Sequence, residues 1–210
     1  MIAETLEALN EAREKSGASE NEVLFGGIEG ELEKLAAAMD AAAPQNGEGK
    51  GGSSQEAFEK QQNASRTTEE LTVALKQQID QGLVGVEQDE DKVIITVGAG
   101  GAFASGSADL TAEAIAIMQQ IAGVNAENDS EITVSGHTDD VPLIFGSRYR
   151  DNWDLAAARS ASVVQSLSAD GIISDERLEA ISYGESRPVD SNETADGRSK
   201  NRRIEIEINY

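Results

Sequence analysis

The sequence predicts an α/β fold in which helices pack against one mixed β-sheet. From residue 83 onward, segments with the alternating pattern of strands take turns with segments that have the period of amphipathic helices. The last segment, RRIEIEINY, alternates cleanly. We therefore expect Ile204, Ile206 and Ile208 on its buried face and glutamates on the other face.

The first part of the chain is predicted to be a helical segment followed by a flexible linker. Residues 1–43 form two amphipathic helical pieces, broken near SGASENEVLFGG, that are too short to be stable alone. Residues 44–58 are rich in Gly and Ser, which is the composition of a flexible linker. The predicted domain therefore covers residues 59–210.

The elements of this domain follow from capping residues and changes of period. The first helix is expected to be capped by Thr67 or Thr68, with Leu71, Ala74, Leu75 and Ile79 on its apolar face. LVGVEQDEDKVIITV predicts a hairpin with an acidic turn at residues 89–91. The following elements are predicted in this order: a helix from Thr111, the strand EITVSGH, a helix over 152–169 ended by Gly171, the strand LEAISYG and the last strand.

Charge and composition exclude several classes of function. The formal net charge is -22, and the acidic excess runs along the whole chain, so binding to nucleic acid is not expected. The chain has no cysteine, which excludes disulfides, thiolate nucleophiles and zinc-thiolate sites. It also lacks a run of 18 or more apolar residues and a signal-peptide pattern at its start. We expect no cofactor and no metal.

Three patterns resemble functional motifs but fail on their details. VIITVGAGG lacks the third glycine of a dinucleotide fingerprint, since position 103 is Phe. Asp139 and Asp140 are adjacent, and neighbouring side chains of an extended segment point to opposite sides, so they do not form a glycosidase pair. His137 is the only histidine, and we expect it to satisfy a backbone group at the end of a strand.

The stretch GHTDDVPLIFGSRYRDNWDLAAARS, residues 136–160, gathers arginines in an otherwise acidic chain. In the helix that starts near Asn152, one face is predicted to pack on the sheet and consists of Trp153, Ala157, Ser160, Ala161, Val164 and Leu167. Asn152, Leu155 and Arg159 lie on the opposite side. Beside the strand end with Thr138 and Asp139, they are expected to form the wall of a pocket.

The charges of this pocket indicate a zwitterionic ligand. Arginine is a rigid fork of donors that suits a carboxylate, and aspartate accepts from an ammonium group. Together they suit an amino-acid headgroup. The same residues are equally compatible with an internal salt bridge, which contributes little stability when exposed. Charge alone leaves both alternatives open.

Four motifs in the right order resemble the OmpA-like peptidoglycan-binding domain in its flagellar stator version, the MotB/PomB family. They are AFASGSADL, GHTDDVP, YRDNWDLAAARSASVV and GRSKNRRIEI, and the resemblance covers about residues 68–210. It implies an OmpA-like two-layer sandwich of helices on a sheet. The segment LKQQIDQGLVGVEQDEDKVIITV is most similar to the sodium-driven type. Ala104 and Ala156 depart from the family pattern, which commonly has Pro and Ser there.

The resemblance also implies roles for individual residues. Asp139 would bind the ammonium and Arg159 the carboxylate of diaminopimelate in the peptidoglycan stem peptide. The neighbouring contact positions of the family correspond to Thr138, Asn152 and Leu155, and Arg203 corresponds to a further pocket arginine. No catalytic residue is implied.

The resemblance places the domain in a membrane-anchored motor. It implies a periplasmic homodimer that fixes a flagellar stator to the cell wall and works with a MotA/PomA-like stator A subunit. That partner would be met through a single N-terminal transmembrane helix in the inner membrane, which this chain lacks, and residues 1–43 would correspond to the plug. Two alternatives are an OmpA-like interaction module that dimerises without wall binding and a wall hydrolase. The absent cysteine and the solitary histidine argue against the hydrolase.

Overall fold

The computed structural model describes residues 51–104, 106–144 and 146–210, and of these the side chains of 51–53 and 170 are not described. Residues 51–210 form one compact unit. The prediction for residues 1–43 lies outside the described residues. Along the chain the helices and strands are α1 (Gly51–Ala74), α2 (Lys76–Asp80), β1 (Val84–Asp89), β2 (Lys92–Gly98), α3 (Ala99–Ala102), α4 (Ala112–Asn125), β3 (Glu131–His137), α5 (Asn152–Leu167), β4 (Leu178–Gly184), α6 (Ala195–Asn201) and β5 (Arg203–Asn209).

The five strands form a single mixed sheet in the order β1-β2-β5-β3-β4. β3 and β4 are parallel, and the other three pairs are antiparallel. The parallel pair needs a long crossover, and α5 lies within it. The predicted α/β fold with helices on one mixed sheet is therefore confirmed.

The core lies between one face of the sheet and the helices. Ile204, Ile206 and Ile208 of β5 are at most 1% exposed, as the alternation of the last strand predicts. They form one hydrophobic cluster with residues of the other strands and of the helices, including Leu71, Leu75, Ile117, Met118, Ile121, Val163 and Leu167. Aliphatic side chains build this core because aromatic residues are only 4% of the sequence.

The N-terminal boundary of the domain differs from the prediction. Helix α1 begins at Gly51, so the predicted linker 44–58 is helical from residue 51 onward. Thr67 and Thr68 lie inside this helix and do not cap it. The Thr67 hydroxyl is hydrogen-bonded to the hydroxyl of Tyr210, and the Thr68 hydroxyl donates to the Ala64 carbonyl. These threonines resemble an N-cap in sequence, but their hydroxyls bind other partners.

The predicted hairpin and the cap at Thr111 are confirmed. Asp89 pairs with Lys92 across the turn, and Glu90 has a φ of 54°. The Thr111 side chain accepts a hydrogen bond from the Ala114 N–H at 3.1 Å, which satisfies one free donor at the start of α4. Helix α5 ends at Leu167, slightly before the predicted end, and a short 3-10 turn leads to Gly171.

Candidate functional site

The predicted site residues other than Arg203 lie near the end of the sheet where β3 ends and β5 begins. Thr138 and Asp139 directly follow β3, and Asn152 is the first residue of α5. The Asn152 side-chain amide donates to the carbonyls of Asp139 at 3.2 Å and Val141 at 3.1 Å. Asn152 therefore fixes the loop after β3 against the start of α5.

The buried face of α5 matches the predicted one only in part, since Ser160 and Leu167 are buried as expected but Trp153 and Ala157 are not. Trp153 is 46% exposed and Ala157 is also exposed, whereas Leu155 and Arg159 are 5% and 6% exposed. The buried residues of the helix are Asn152, Leu155, Ala156, Arg159, Ser160, Val163 and Leu167. Small residues line both sides of this helix, so its period does not decide which side packs. Leu155 and Arg159 therefore point inward and not away from the core.

Asp139 is already ion-paired within the domain. It is 8% exposed, and its Oδ2 atom lies 2.6 Å from Nη1 of Arg202. Its Oδ1 atom accepts a hydrogen bond from the Val141 N–H at 3.2 Å. The open choice between pocket and internal salt bridge is thus partly answered, since a salt bridge exists but its cation is Arg202 and not Arg159.

Arg159 is held in place without a carboxylate partner among the described residues. Its Nε–H donates to the Ser107 carbonyl at 2.9 Å, and its Cζ atom lies 4.9 Å from the ring centroid of Phe103. The pKa of Arg159 is lowered, chiefly by burial and to a smaller extent by the positive charge of Arg202. Tyr149 and Asp139 oppose this shift. An arginine remains cationic at neutral pH. The site therefore contains a fixed, desolvated cation whose two Nη nitrogens make no hydrogen bond within the described residues.

Thr138 also presents an unused polar group. The residue is 4% exposed, and its Oγ1 atom has no hydrogen-bond partner among the described residues. Its backbone N–H donates to the Gly184 carbonyl at 2.9 Å, which ties the start of the site loop to β4. Buried polar groups rarely lack a partner, so this hydroxyl has hydrogen-bonding capacity that no described residue uses.

Arg203 does not join the other predicted site residues. Its guanidinium donates to Glu205 Oε1 at 2.6 Å and to the carbonyls of Asn201 and Arg187 at 3.3 Å. Alternation along β5 places Arg203 on the face shared by Glu205, opposite Ile204. Arg202, which sequence reasoning missed, reaches Asp139 in its place. The clean alternation of the last strand was the signal that could have separated the two arginines.

His137 does not satisfy a backbone group, contrary to the expectation. It is 2% exposed, both ring nitrogens lack a hydrogen bond within the described residues, and Nε2 lies 3.5 Å from Glu205 Oε2. His137 and then Arg203 hold the pKa of Glu205 at about 2, against 4.5 ordinarily, although burial opposes this shift. This histidine belongs to a charged cluster on the sheet face opposite the helices.

Two other basic residues, Arg150 and Lys200, form ion pairs on the surface. Arg150 pairs with Asp154 one turn later, and Lys200 pairs with Asp190 at 2.6 Å. Exposed pairs of this kind contribute little stability. Within the described residues, no group of acidic or histidine side chains could hold a metal ion, and no helix has the length and hydrophobicity to cross a membrane.

The chain matches known proteins over the part of its length that contains these residues. Residues 102–202 match the model of the OmpA family. Motility protein B of Bacillus subtilis is 37% identical over 107 residues, which cover 50% of this chain and 41% of that protein. The chain therefore spans less than half the length of this relative.

Two solved structures are similar over most of the domain. One is a putative MotB like protein from Desulfovibrio vulgaris, with a TM-score of 0.67, 27% identity, and coverage of 73% of this chain and 94% of that chain. The other is the cell wall anchor of the T6SS from Pseudomonas aeruginosa, with a TM-score of 0.60, 30% identity, and coverage of 66% and 96%.

Proposed function

Because residues 102–202 form a domain of the OmpA family, we propose that this chain binds peptidoglycan and anchors a flagellar stator to the cell wall. The similarity to Motility protein B and to a MotB-like structure supports the stator assignment. The similarity to a cell wall anchor of another machine supports wall binding in general. The role requires no bond to be made or broken.

The observation that carries the proposal is the state of Arg159. Arg159 is 6% exposed as a residue, and its guanidinium is positioned by Ser107 and Phe103, yet it has no carboxylate partner among the described residues. Burying an unpaired charge is costly, so such a site is built for an anion that arrives from outside. The carboxylate of diaminopimelate is the anion that we assign to it.

The remaining contacts follow from the positions of the other side chains. Asp139 would accept hydrogen bonds from the ammonium group of diaminopimelate. The Thr138 hydroxyl would bind a polar atom of the ligand next to that group. Leu155 would cover the aliphatic part of the ligand, since it is buried but lies outside the main hydrophobic cluster. Asn152 would hold the loop that carries Asp139. We assign no ligand contact to Arg203.

We further propose the cellular arrangement that goes with this role. The domain would act in the periplasm as a homodimer, and an N-terminal transmembrane helix would hold it in the inner membrane. A MotA/PomA-like stator A subunit would bind through that membrane segment. Residues 1–43 would serve as plug and tether.

Retention on insoluble peptidoglycan of the diaminopimelate type tests the proposal. We expect wild-type protein to sediment with the wall and Asp139→Asn and Arg159→Gln to lose at least about tenfold in retention, since each removes one charge of the pair. Asp140→Asn is the matched control, because Asp140 is adjacent but exposed. Wild-type protein that stays in the supernatant, or equal retention of all four proteins, would contradict wall binding.

One observation favours an alternative, an interaction module without wall binding. Asp139 is already neutralised by Arg202, as in a site that no longer needs a ligand. On this alternative the wall would retain none of the proteins. Deletion of residues 1–43 would then change the oligomeric state, which sedimentation equilibrium measures.

A further inference from the structure

Arg202 is attached rigidly through its backbone but loosely through its side chain. Its carbonyl accepts a hydrogen bond from the Ala99 N–H at 2.9 Å, and its own N–H donates to the Arg198 carbonyl. Within the described residues its guanidinium bonds only to Asp139, and its side chain is 39% exposed. The Asp139 side chain is 11% exposed. The cation of this pair is therefore more exposed to solvent than the anion.

Among the described residues, the two arginines of the site have one carboxylate between them. Within the part of the chain that the structure describes, Arg159 is fixed without an ion-pair partner, and Arg202 is paired with Asp139. A nearby like charge disfavours the charged form of a group, and Arg202 lowers the pKa of Arg159 in this way. The side chains of the site therefore carry a surplus of positive charge, although the whole chain has a net charge of -22.

We propose that Arg202 is a specificity-determining residue, a counter-cation that the ammonium group of a ligand must displace from Asp139. The displaced guanidinium then turns to the carboxylate of the same ligand and binds it together with Arg159. This inference rests on the proposed wall binding and adds to it a rule for ligand selection.

The charge count of the site explains the rule. A ligand with an ammonium group alone would bring a third cation to a site that already holds two and would leave Arg202 without an anion. A ligand with a carboxylate beside the ammonium replaces the anion that Arg202 loses. The site therefore selects a stem peptide with diaminopimelate over one with lysine, because the two residues differ by this carboxylate.

Two soluble stem tetrapeptides test the rule if they are identical except for meso-diaminopimelate or L-lysine at the third position. Their dissociation constants are measured by chemical-shift titration for wild type, Arg202→Gln, Arg202→Lys and the control Arg148→Gln, an exposed arginine. We expect Arg202→Gln to strengthen lysine-peptide binding and weaken diaminopimelate-peptide binding. The preference should fall by about tenfold, which corresponds to one charge interaction. Arg202→Lys retains the charge and should keep most of the preference, and Arg148→Gln should keep all of it.

A measurement on the wild-type protein guards against misfolding of a variant. The side-chain Nε–H resonance of Arg202 should shift on addition of the diaminopimelate peptide, because the guanidinium changes partner. A resonance that stays unchanged at saturation overturns the inference, as does an unchanged preference in Arg202→Gln.

The two proposals fail in different ways. Wild-type protein that binds neither tetrapeptide nor insoluble peptidoglycan overturns the proposed function and this inference with it. Wild-type protein that binds peptidoglycan, while Arg202→Gln weakens both tetrapeptides by the same factor, overturns only the role of Arg202. The residue would then support the loop around Asp139 without selecting the ligand.

Discussion

Gly136 of β3 lies in direct contact with the backbone of Ala156 in α5. A Cβ atom added at Gly136 would overlap the Ala156 carbonyl oxygen and lie 2.9 Å from its carbonyl carbon. Only glycine permits this approach, since backbone atoms cannot move aside as a flexible side chain can. The contact sets the distance between the strand that leads to Asp139 and the helix that carries Leu155 and Arg159.

We therefore predict that Gly136→Ala weakens wall binding and destabilises the domain. Overpacking of this kind costs about 1 to 3 kcal/mol, and the displaced helix should separate Arg159 from Asp139. Urea unfolding and peptidoglycan sedimentation measure the two effects. Gly123→Ala is the matched control, because Gly123 lies in α4 with open space around its Cα. We expect the control to gain about 0.5 to 1 kcal/mol and to bind normally. A Gly136→Ala protein with wild-type stability and retention would refute the proposed constraint.

Asn152→Ala should weaken wall binding through the loop after β3. The change leaves the carbonyls of Asp139 and Val141 without their side-chain donor, so the loop should become mobile. The loss of two such bonds corresponds to about 1 to 3 kcal/mol of stability. Retention on peptidoglycan and amide hydrogen exchange of residues 139–141 are the measurements. Asn63→Ala, on the exposed part of α1, should behave as wild type. Unaltered exchange in Asn152→Ala would show that the loop is held by other contacts.

Acid should destabilise the domain partly through Glu205. Its pKa is about 2 in the folded protein and 4.5 in the unfolded chain. The stabilisation is therefore fully present above pH 4.5 and is lost as the pH falls toward 2. We expect Glu205→Gln to lose less stability than wild type over this range, by about 1 to 3 kcal/mol after allowance for partial exposure. Urea unfolding in steps from pH 6 to pH 2 measures the difference. Parallel curves for the two proteins would contradict the assignment.

The attachment of α1 to the rest of the domain should depend on Leu71. This side chain is 0% exposed in the core cluster, whereas Val73 on the same helix is 78% exposed. We predict that Leu71→Ala destabilises the domain by about 2 to 5 kcal/mol, since it removes buried apolar volume. Val73→Ala should change the stability by no more than about 0.5 kcal/mol. The midpoints of urea unfolding give both values, and similar midpoints for the two variants would mean that α1 does not contribute to the core.

The boundary of α1 shows a limit of sequence reasoning. The run of Gly and Ser at residues 51–54 has the composition of a linker, yet the helix starts there. Nearly all residues that follow this run are compatible with a helix. Ala64, Thr67 and Leu71 are buried, and their contacts stabilise the helix from its C-terminal half. Local composition does not register contacts made by residues further along the chain.

The sequence by itself determined the five strands and their succession along the chain, the buried face of β5 and the presence of Thr138, Asp139, Asn152 and Arg159 near one end of the sheet. It could do so because periodicity records which side of an isolated element is apolar. Only the tertiary structure decided that Arg202, and not Arg203, meets Asp139, and that Arg159 lies on the buried face of α5. Arg202 and Arg203 are identical side chains that differ only in the direction in which they point, and the start of β5 sets that direction. The close approach of α5 to Gly136 sets the position of Arg159.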